Sequence, residues 1–514
     1  MDMATLIVYL LCFLCCFLLF SFSKFLYKEW WIPNRTQSRM NSQGIKGPSY
    51  RFIHGNTKEI ASMRKELIKN PMELSHHLLP RVQPHIYSWT KLYGVNFLLW
   101  YGPQAQLVVT EPELAREILN SKEETFCKAK FQEYIRKLFG DGLVLSKGEK
   151  WMKMRKIANH AFHSESLKSM VPAMIESTEM MLQRWRNREG KEVDAFQEFK
   201  VLTSEIISRT AFGNSYLEGE KVFEILKRMI SITERNHFKV KIPGLQMFFK
   251  TSDDVELDKL QQEIRNTILE IVKKREEDAR MSRLDSYGND FLGLLIKAYR
   301  DDDKKKKITM DDMVDECKTF YVAGQETTAS SLAWTTLLLA IHTEWQDEAR
   351  KEVLQHFGQQ TPTTDGIGRL KTMSMIINES LRLYAPILQH SRRVQREVKV
   401  GKLVLPPEME ILIPTLALHT DCRVWGEDAY LFRPARFAEG VAKATNNSIS
   451  SFIPFGMGPR NCIGFNFAIT EVKTALAMIL QQYRFTLSPA YVHSPVLVLT
   501  MCPQHGVPVI LEAL

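Results

Sequence analysis

The longest uninterrupted apolar run lies at the start of the chain. From Met3 to Phe22 no charge intervenes, and roughly 20 such residues cross a bilayer as a helix. Asp2 precedes the run and Lys24, Lys28, Arg35 and Arg39 follow it, so the positive-inside rule puts the C-terminal side in the cytoplasm. The acidic start and the exit Leu19-Phe20-Ser21-Phe22-Ser23 point to an uncleaved anchor rather than a signal peptide. Trp30 and Trp31 stand where amphipathic rings reach headgroup level. Pro33, Gly44, Gly47 and Pro48 then interrupt any period. The pattern predicts an anchor over 1–24, a linker over 25–55 and one body over 56–514. On the cytoplasmic side, the acceptor triplet Asn34-Arg35-Thr36 is expected to stay unmodified.

The body opens with two short strand-like runs, Phe97–Trp100 and Gln106–Val109, bounded by Gly102-Pro103 and Glu111-Pro112. From there most of the periodicity is helical. Glu113–Leu119 reads as a short amphipathic helix, Phe126–Leu145 as a loop, and Ile206–Phe212 as the end of a buried helix stopped by Gly213. Asn236–Lys250 mixes basic and apolar residues and reads as a lid touching membrane. Asp301–Lys307 reads as an exposed charged loop. The longest helix runs from Met310 to about His342, about 50 Å at 1.5 Å per residue, with Thr309 as N-cap and Asp312 in its first turn. At its middle, Ala323-Gly324-Gln325-Glu326-Thr327-Thr328 places a glycine and two hydroxyls where helices are usually regular, which predicts a widened or kinked turn. A final helix follows Gly464, with Phe467, Ala468, Val472, Leu476, Ile479 and Leu480 on one face.

Composition narrows the class. The 514 residues are 45% hydrophobic and 25% charged, which is ordinary for a globular protein. The eight cysteines show no C-x-x-C spacing in the body, against a zinc site or a disulfide framework. The net charge of +9 comes without an aromatic-plus-basic nucleic-acid motif, so an acidic protein or an anionic lipid surface suits it better than nucleic acid. His160 and His163 have metal-ligand spacing but no third ligand in register, and are read as structural.

The chemistry concentrates near the C-terminus. Phe455-Gly456-Met457-Gly458-Pro459-Arg460-Asn461-Cys462-Ile463-Gly464 sets one cysteine in a glycine-held loop just ahead of a helix N-terminus. The helix dipole and unpaired N–H groups there favour thiolate, making Cys462 a candidate metal ligand rather than an inert buried thiol. Glycines let backbone approach a flat cofactor, and Arg460 offers a fixed charge for a carboxylate on it. Trp151 and Arg155 lie one helical turn apart on one face, with Lys150, Lys153 and Lys156 on the same helix.

This decapeptide resembles the haem-binding loop of the cytochrome P450 family. The A-G-x-[DE]-T-[TS] pattern at Ala323–Thr328 and Glu379-x-x-Arg382 resemble two further motifs of that family. The resemblance covers everything after the linker. It implies a mainly α fold of the cytochrome P450 type with small β-sheets, preceded by the transmembrane helix. It implies haem b (iron protoporphyrin IX) with Cys462 as axial thiolate, Phe455 in the cofactor loop, and Arg460, Trp151, Arg155 and Arg392 on the propionates. Glu326 and Thr327 would handle protons during O2 use. Glu379 and Arg382 would form a buried network with Arg436, although the acidic residue usual before that arginine is Ala435 here. Phe126–Leu145, Ile387–Ser391 and the strand pair around Ser494–Leu499 would reach the substrate pocket, with His390 an uncommon residue there. By the same resemblance the electrons come from NADPH through NADPH–cytochrome P450 reductase, with cytochrome b5 as an optional second donor and the basic helix as docking face. The expected setting is the endoplasmic reticulum membrane, single-pass, facing the cytoplasm. Gln43–Pro48 and Ile206–Phe212 look like the plant clan that oxidises terpenoids and hormones, which implies an apolar, terpenoid or fatty-acid-like substrate. Two rivals are a peroxide-rearranging enzyme of the same fold, which would need neither Thr327 nor the basic face, and a non-catalytic haem sensor, which could lose Glu326 and Thr327.

Overall fold

The computed structural model describes residues 3–213, 216–236, 250–281 and 287–514. The lid expected over Asn236–Lys250 falls almost wholly outside them. The apolar N-terminal run forms a helix over Met3–Leu26 with none of its residues buried. It is long and apolar enough to cross a membrane.

The linker is more ordered than its prolines and glycines suggest. A π-turn at Tyr27–Trp31 leads straight into a helix over Ile32–Asn41, with Pro33 near its start. Proline has no N–H for the carbonyl four residues back, which is that of Glu29. The Tyr50 hydroxyl donates to that carbonyl instead. A wide turn and an outside donor therefore let the helix pass the proline. Met40 is fully buried, Gln43 bonds both the N–H and the carbonyl of Val404, and Arg39 pairs with Glu397 at 2.8 Å, so this segment is docked on the body.

The body is mainly helical with small sheets. The five-stranded sheet runs, in spatial order, Asn96–Tyr101, Gln104–Val109, Glu410–Pro414, Gln389–Val394, Phe126–Cys127. Its first two strands are the two runs read from the sequence, paired antiparallel with Leu98 opposite Leu107. The strand Gln389–Val394 pairs antiparallel with Glu410–Pro414, Arg392 opposite Ile411. The segment expected as a loop before Leu145 instead holds a short strand and a helix, Glu133–Phe139.

The long helix, Met310–Ile341, runs through the core. Its start is a capping box: Thr309 Oγ1 accepts from Asp312 N–H at 3.1 Å, and Asp312 Oδ2 accepts from Thr309 N–H at 2.9 Å. It is continuous α-helix through Gly324, with no widened turn. Gly324 has another cause. A Cβ there would stand 2.7 Å from Ile207 Cδ1, because the helix Ala195–Phe212 crosses at this point. That crossing helix ends as expected, with Gly213 left-handed at φ 60° and its N–H on Ser208 O. Asp301–Lys307 is an exposed connection before the long helix.

Candidate active site

A cavity separates the long helix from the cysteine loop. Ala323, Gly324, Thr327, Thr328 and Ser331 line it from the helix, and Phe455, Arg460, Cys462, Gly464 and Phe467 from the loop and the helix Phe465–Gln482. Pro386, Ile387 and His390 complete one wall, so part of the expected pocket segment reaches it. Neither Phe126–Leu145 nor the strand pair Pro495–Leu497 and Met501–Pro503 lines it, although Met501 N–H bonds Pro386 O at 2.9 Å behind that wall.

The loop is closed by a hydrogen bond from Cys462 N–H to Phe455 O at 2.8 Å, and the Phe455 ring meets Phe465 edge-on at 4.7 Å. Its glycines serve different neighbours. Gly458, at φ 74°, would set a Cβ 2.2 Å from the backbone oxygen of Leu119, so it answers protein contact. Gly464 lines the cavity and a Cβ there would meet no protein atom, so it is where a flat group can approach the backbone. Cys462 is open to the cavity and enclosed elsewhere. Burial pushes its thiol up, against the thiolate expected from the helix terminus, while the Gly464 N–H and the Arg155 charge pull it down. A coordinated metal ion would hold this sulfur as thiolate, because coordination deprotonates a thiol outright.

Arg460 lines one side, and two further cations lie within its electrostatic reach. Arg460 holds Glu123 through Nε at 3.0 Å and Nη2 at 2.6 Å, donates to Ser146 O at 2.8 Å, and stacks over Trp151 at 4.4 Å. Its Nη1 is buried with no hydrogen-bond partner. Arg392 is 5% exposed and, among the described residues, its side chain bonds only the carbonyl of Ser391, at 3.0 Å; burial and then the Arg460 charge pull it down to about 10. Lys128, which the sequence does not single out, joins them: burial and the charges of Arg392 and Arg460 take its ammonium down to about 7. Glu123 is the one carboxylate acting on Lys128 and Arg392 together. A cluster with more cations than carboxylates and an orphaned donor calls for anions. Trp151 and Arg155 sit one step back from these cations. Trp151 supports the Arg460 guanidinium, while Arg155 grips the loop through Asn461, Nη1 on its carbonyl at 2.6 Å and Nη2 on Oδ1 at 2.7 Å. One soft sulfur ligand, an apolar cavity and surplus cations towards one side fit a haem with its two carboxylates.

On the helix wall, Thr327 donates to Ala323 O at 2.7 Å, the usual back-bond of a mid-helix threonine. Burial raises the Glu326 carboxyl, opposed by Lys200 and Lys227. Behind Thr328 lies an acid with no motif to announce it. Glu471 is 1% exposed, and burial holds its carboxyl well above the ordinary range, eased by the Thr328 hydroxyl.

Beneath the loop, Arg382 makes a bidentate pair with Glu379 at 2.7 and 2.8 Å, both side chains 0% exposed. Arg436 joins at 3.3 Å and also pairs with Asp428 at 2.8 Å. Asp428 thus supplies the acid absent at Ala435. On the basic helix, Lys150 is taken up by Asp141 and Asp312 and Lys153 by the Lys307 carbonyl, leaving Lys156 exposed. His163 Nδ1 bonds the His160 carbonyl, and no metal-holding cluster occurs among the described residues.

A cysteine facing an apolar cavity across from a helix that carries an acid and a hydroxyl is what oxygen insertion at a haem thiolate requires, and it defines the class: a haem-thiolate monooxygenase. The chain belongs to the cytochrome P450 family, whose pattern matches residues 74–503. It is 57% identical over 508 residues, 98% of this chain and 97% of the other, to Cytochrome P450 CYP749A22 of Panax ginseng. Cytochrome P450 734A1 of Arabidopsis thaliana is 42% identical over 93% of this chain and 92% of its own. Secologanin synthase 2 of Catharanthus roseus is 39% identical over 94% of this chain and 93% of its own. The protein is therefore a plant-type P450 monooxygenase that uses haem b, O2, a small-molecule substrate and a redox partner.

Proposed function

We propose that the protein is a membrane-anchored monooxygenase that inserts one atom of O2 into an apolar terpenoid, hormone or fatty-acid-like molecule. Its electrons come from NADPH through NADPH–cytochrome P450 reductase. The observation that carries this reading is the cavity itself: Cys462, Thr327 and the apolar side chains of Phe162, Phe320 and Ile387 face one enclosed space. When bound, haem supplies the activation of O2.

The rest is done by the chain. Cys462 holds the metal, and Arg460, Arg392 and Lys128 hold the carboxylates on the rim. Trp151 and Arg155 keep Arg460 and the loop in place. Phe455 fixes the loop through its carbonyl and its contact with Phe465. Glu326, whose carboxyl burial raises, gives up protons at its carboxyl oxygens, and the Thr327 hydroxyl passes them into the cavity once released from Ala323 O. The anchor holds the body on the cytoplasmic face of the endoplasmic reticulum, and exposed Trp30 and Trp31 lie at headgroup level.

Reductase-reconstituted protein, screened with small lipophilic compounds, tests this. Expected are a shift of the haem absorption band with some of them, faster NADPH oxidation and an oxygenated product. Rearrangement of an organic peroxide without NADPH, or no compound stimulating oxidation, would overturn it.

A further inference from the structure

His390 faces the cavity and is the residue there that the reaction scheme leaves unused. Its other side makes a specific bond. His390 Nε2 stands 3.1 Å from the carbonyl of Ile453, two residues ahead of Phe455. A carbonyl only accepts, so Nε2 carries the proton and donates. The same carbonyl accepts the Gly456 N–H at 3.0 Å, the turn that opens the cysteine loop. The N–H of Ile453 is held as well: it donates at 2.9 Å to Nε2 of His419. Nδ1 of His419 lies 3.2 Å from the carbonyl of Arg382, so it bears that ring's proton. A Cβ on Gly456 would sit 3.3 Å from His390 Cε1, so the ring is packed against the turn it bonds.

We propose that His390 is a positioning residue for the sulfur ligand. With His419 it clamps both polar groups of the Ile453 backbone, and so ties the strand Gln389–Val394, one wall of the cavity, to the loop that ends at Cys462. This rests on Cys462 being the ligand. The clamp works with both rings neutral, and burial keeps them so: it pulls His390 down to about 4, with Lys128 and Arg392 repelling a charge there, and His419 down to about 3 beside Arg382 and His390. The carbonyl of Phe455, next in line, takes the Cys462 N–H, so a slack Ile453 would be felt at the sulfur.

The test uses full-length holoprotein carrying His390→Leu or His390→Gln; Gln returns an N–H near the place of Nε2. The readouts are the carbonyl absorbance of the reduced form, which separates thiolate-ligated from other haem, and the haem reduction potential. His390→Leu is expected to lose the thiolate band about fivefold faster than the parent, the effect of one missing hydrogen bond, and to shift the potential. His390→Gln should stay within about twofold of the parent. If Leu fails to fold, His390→Ala takes its place with the same expectation. A Leu or Ala variant with parental band lifetime and potential but altered substrate-induced shifts would overturn the proposal in favour of substrate contact. Equal loss in the Gln variant would reduce the role to packing. A parent lacking any thiolate band would instead overturn the assignment of Cys462.

Discussion

The two walls of the cavity are built in different ways. The cysteine loop is held by five residues distant in sequence: Arg155 on Asn461, Glu123 on Arg460, Leu119 against Gly458, and His390 and His419 on Ile453. The facing helix is also tied across the core, its Gln325 carbonyl by Thr203 and its Ser330 and Trp334 to the Met501 carbonyl, but its cavity-facing hydroxyl is not. Thr327 bonds only its own helix, at Ala323, and Gly324 merely makes room for Ile207. A ligand that must not move sits on the wall that long-range bonds over-determine. On the proposed function protons move on the other wall, where one hydroxyl can exchange its local bond at little cost. The lesson is that rigidity and lability are placed residue by residue, not by secondary structure, since a helix tied across the core still carries one hydroxyl with a purely local bond.

Breaking the fixed side has the largest effect. Glu379→Gln leaves Arg382 and part of Arg436 charged and buried without their partner, which costs about 3–5 kcal/mol. The variant is expected to yield almost no haem-loaded protein on purification; normal haem content would show that the network does not support the loop. Next comes the labile side. Thr327→Ala is expected to keep its haem spectrum while product formation falls by roughly 10²-fold, with NADPH consumption diverted to hydrogen peroxide. Tight coupling in that variant would remove the hydroxyl from proton handling.

The smallest effect tests the acid between the walls. Burial raises the Glu471 carboxyl in the fold well above the point near about 4.3 where an unfolded glutamate ionises. Keeping the proton therefore costs the folded state more as pH rises above that value. Glu471→Gln has no such cost. Its stability relative to the parent should be near zero at about pH 4 and grow towards pH 7, read from denaturant midpoints. A difference that does not change with pH would mean that Glu471 is ionised in the fold.

What the sequence shows of this arrangement is what is local. Thr309 with Asp312, Gly213, and the spacing of Arg460 to Cys462 each act within a few residues, so their pattern is visible in a line of text. Glu123, Lys128, Asp428, His419 and Glu471 escape because their roles come from partners between eight and more than three hundred residues away, and none has a distinctive spacing. Two expectations differ for the same reason. Pro33 reads as a break because the Tyr50 hydroxyl that relieves it is not adjacent, and Gly324 reads as a kink because Ile207, which demands it, lies on another helix. The thiolate argument for Cys462 counted a helix terminus and omitted burial, which acts more strongly.

The most direct measurement is the absorbance of the reduced, carbon monoxide-treated protein before and after Cys462→Ser. The parent should show the red-shifted band of a thiolate-bound haem and the variant none. A band that survives the substitution, or a parent whose porphyrin is bound through nitrogen, would contradict the account.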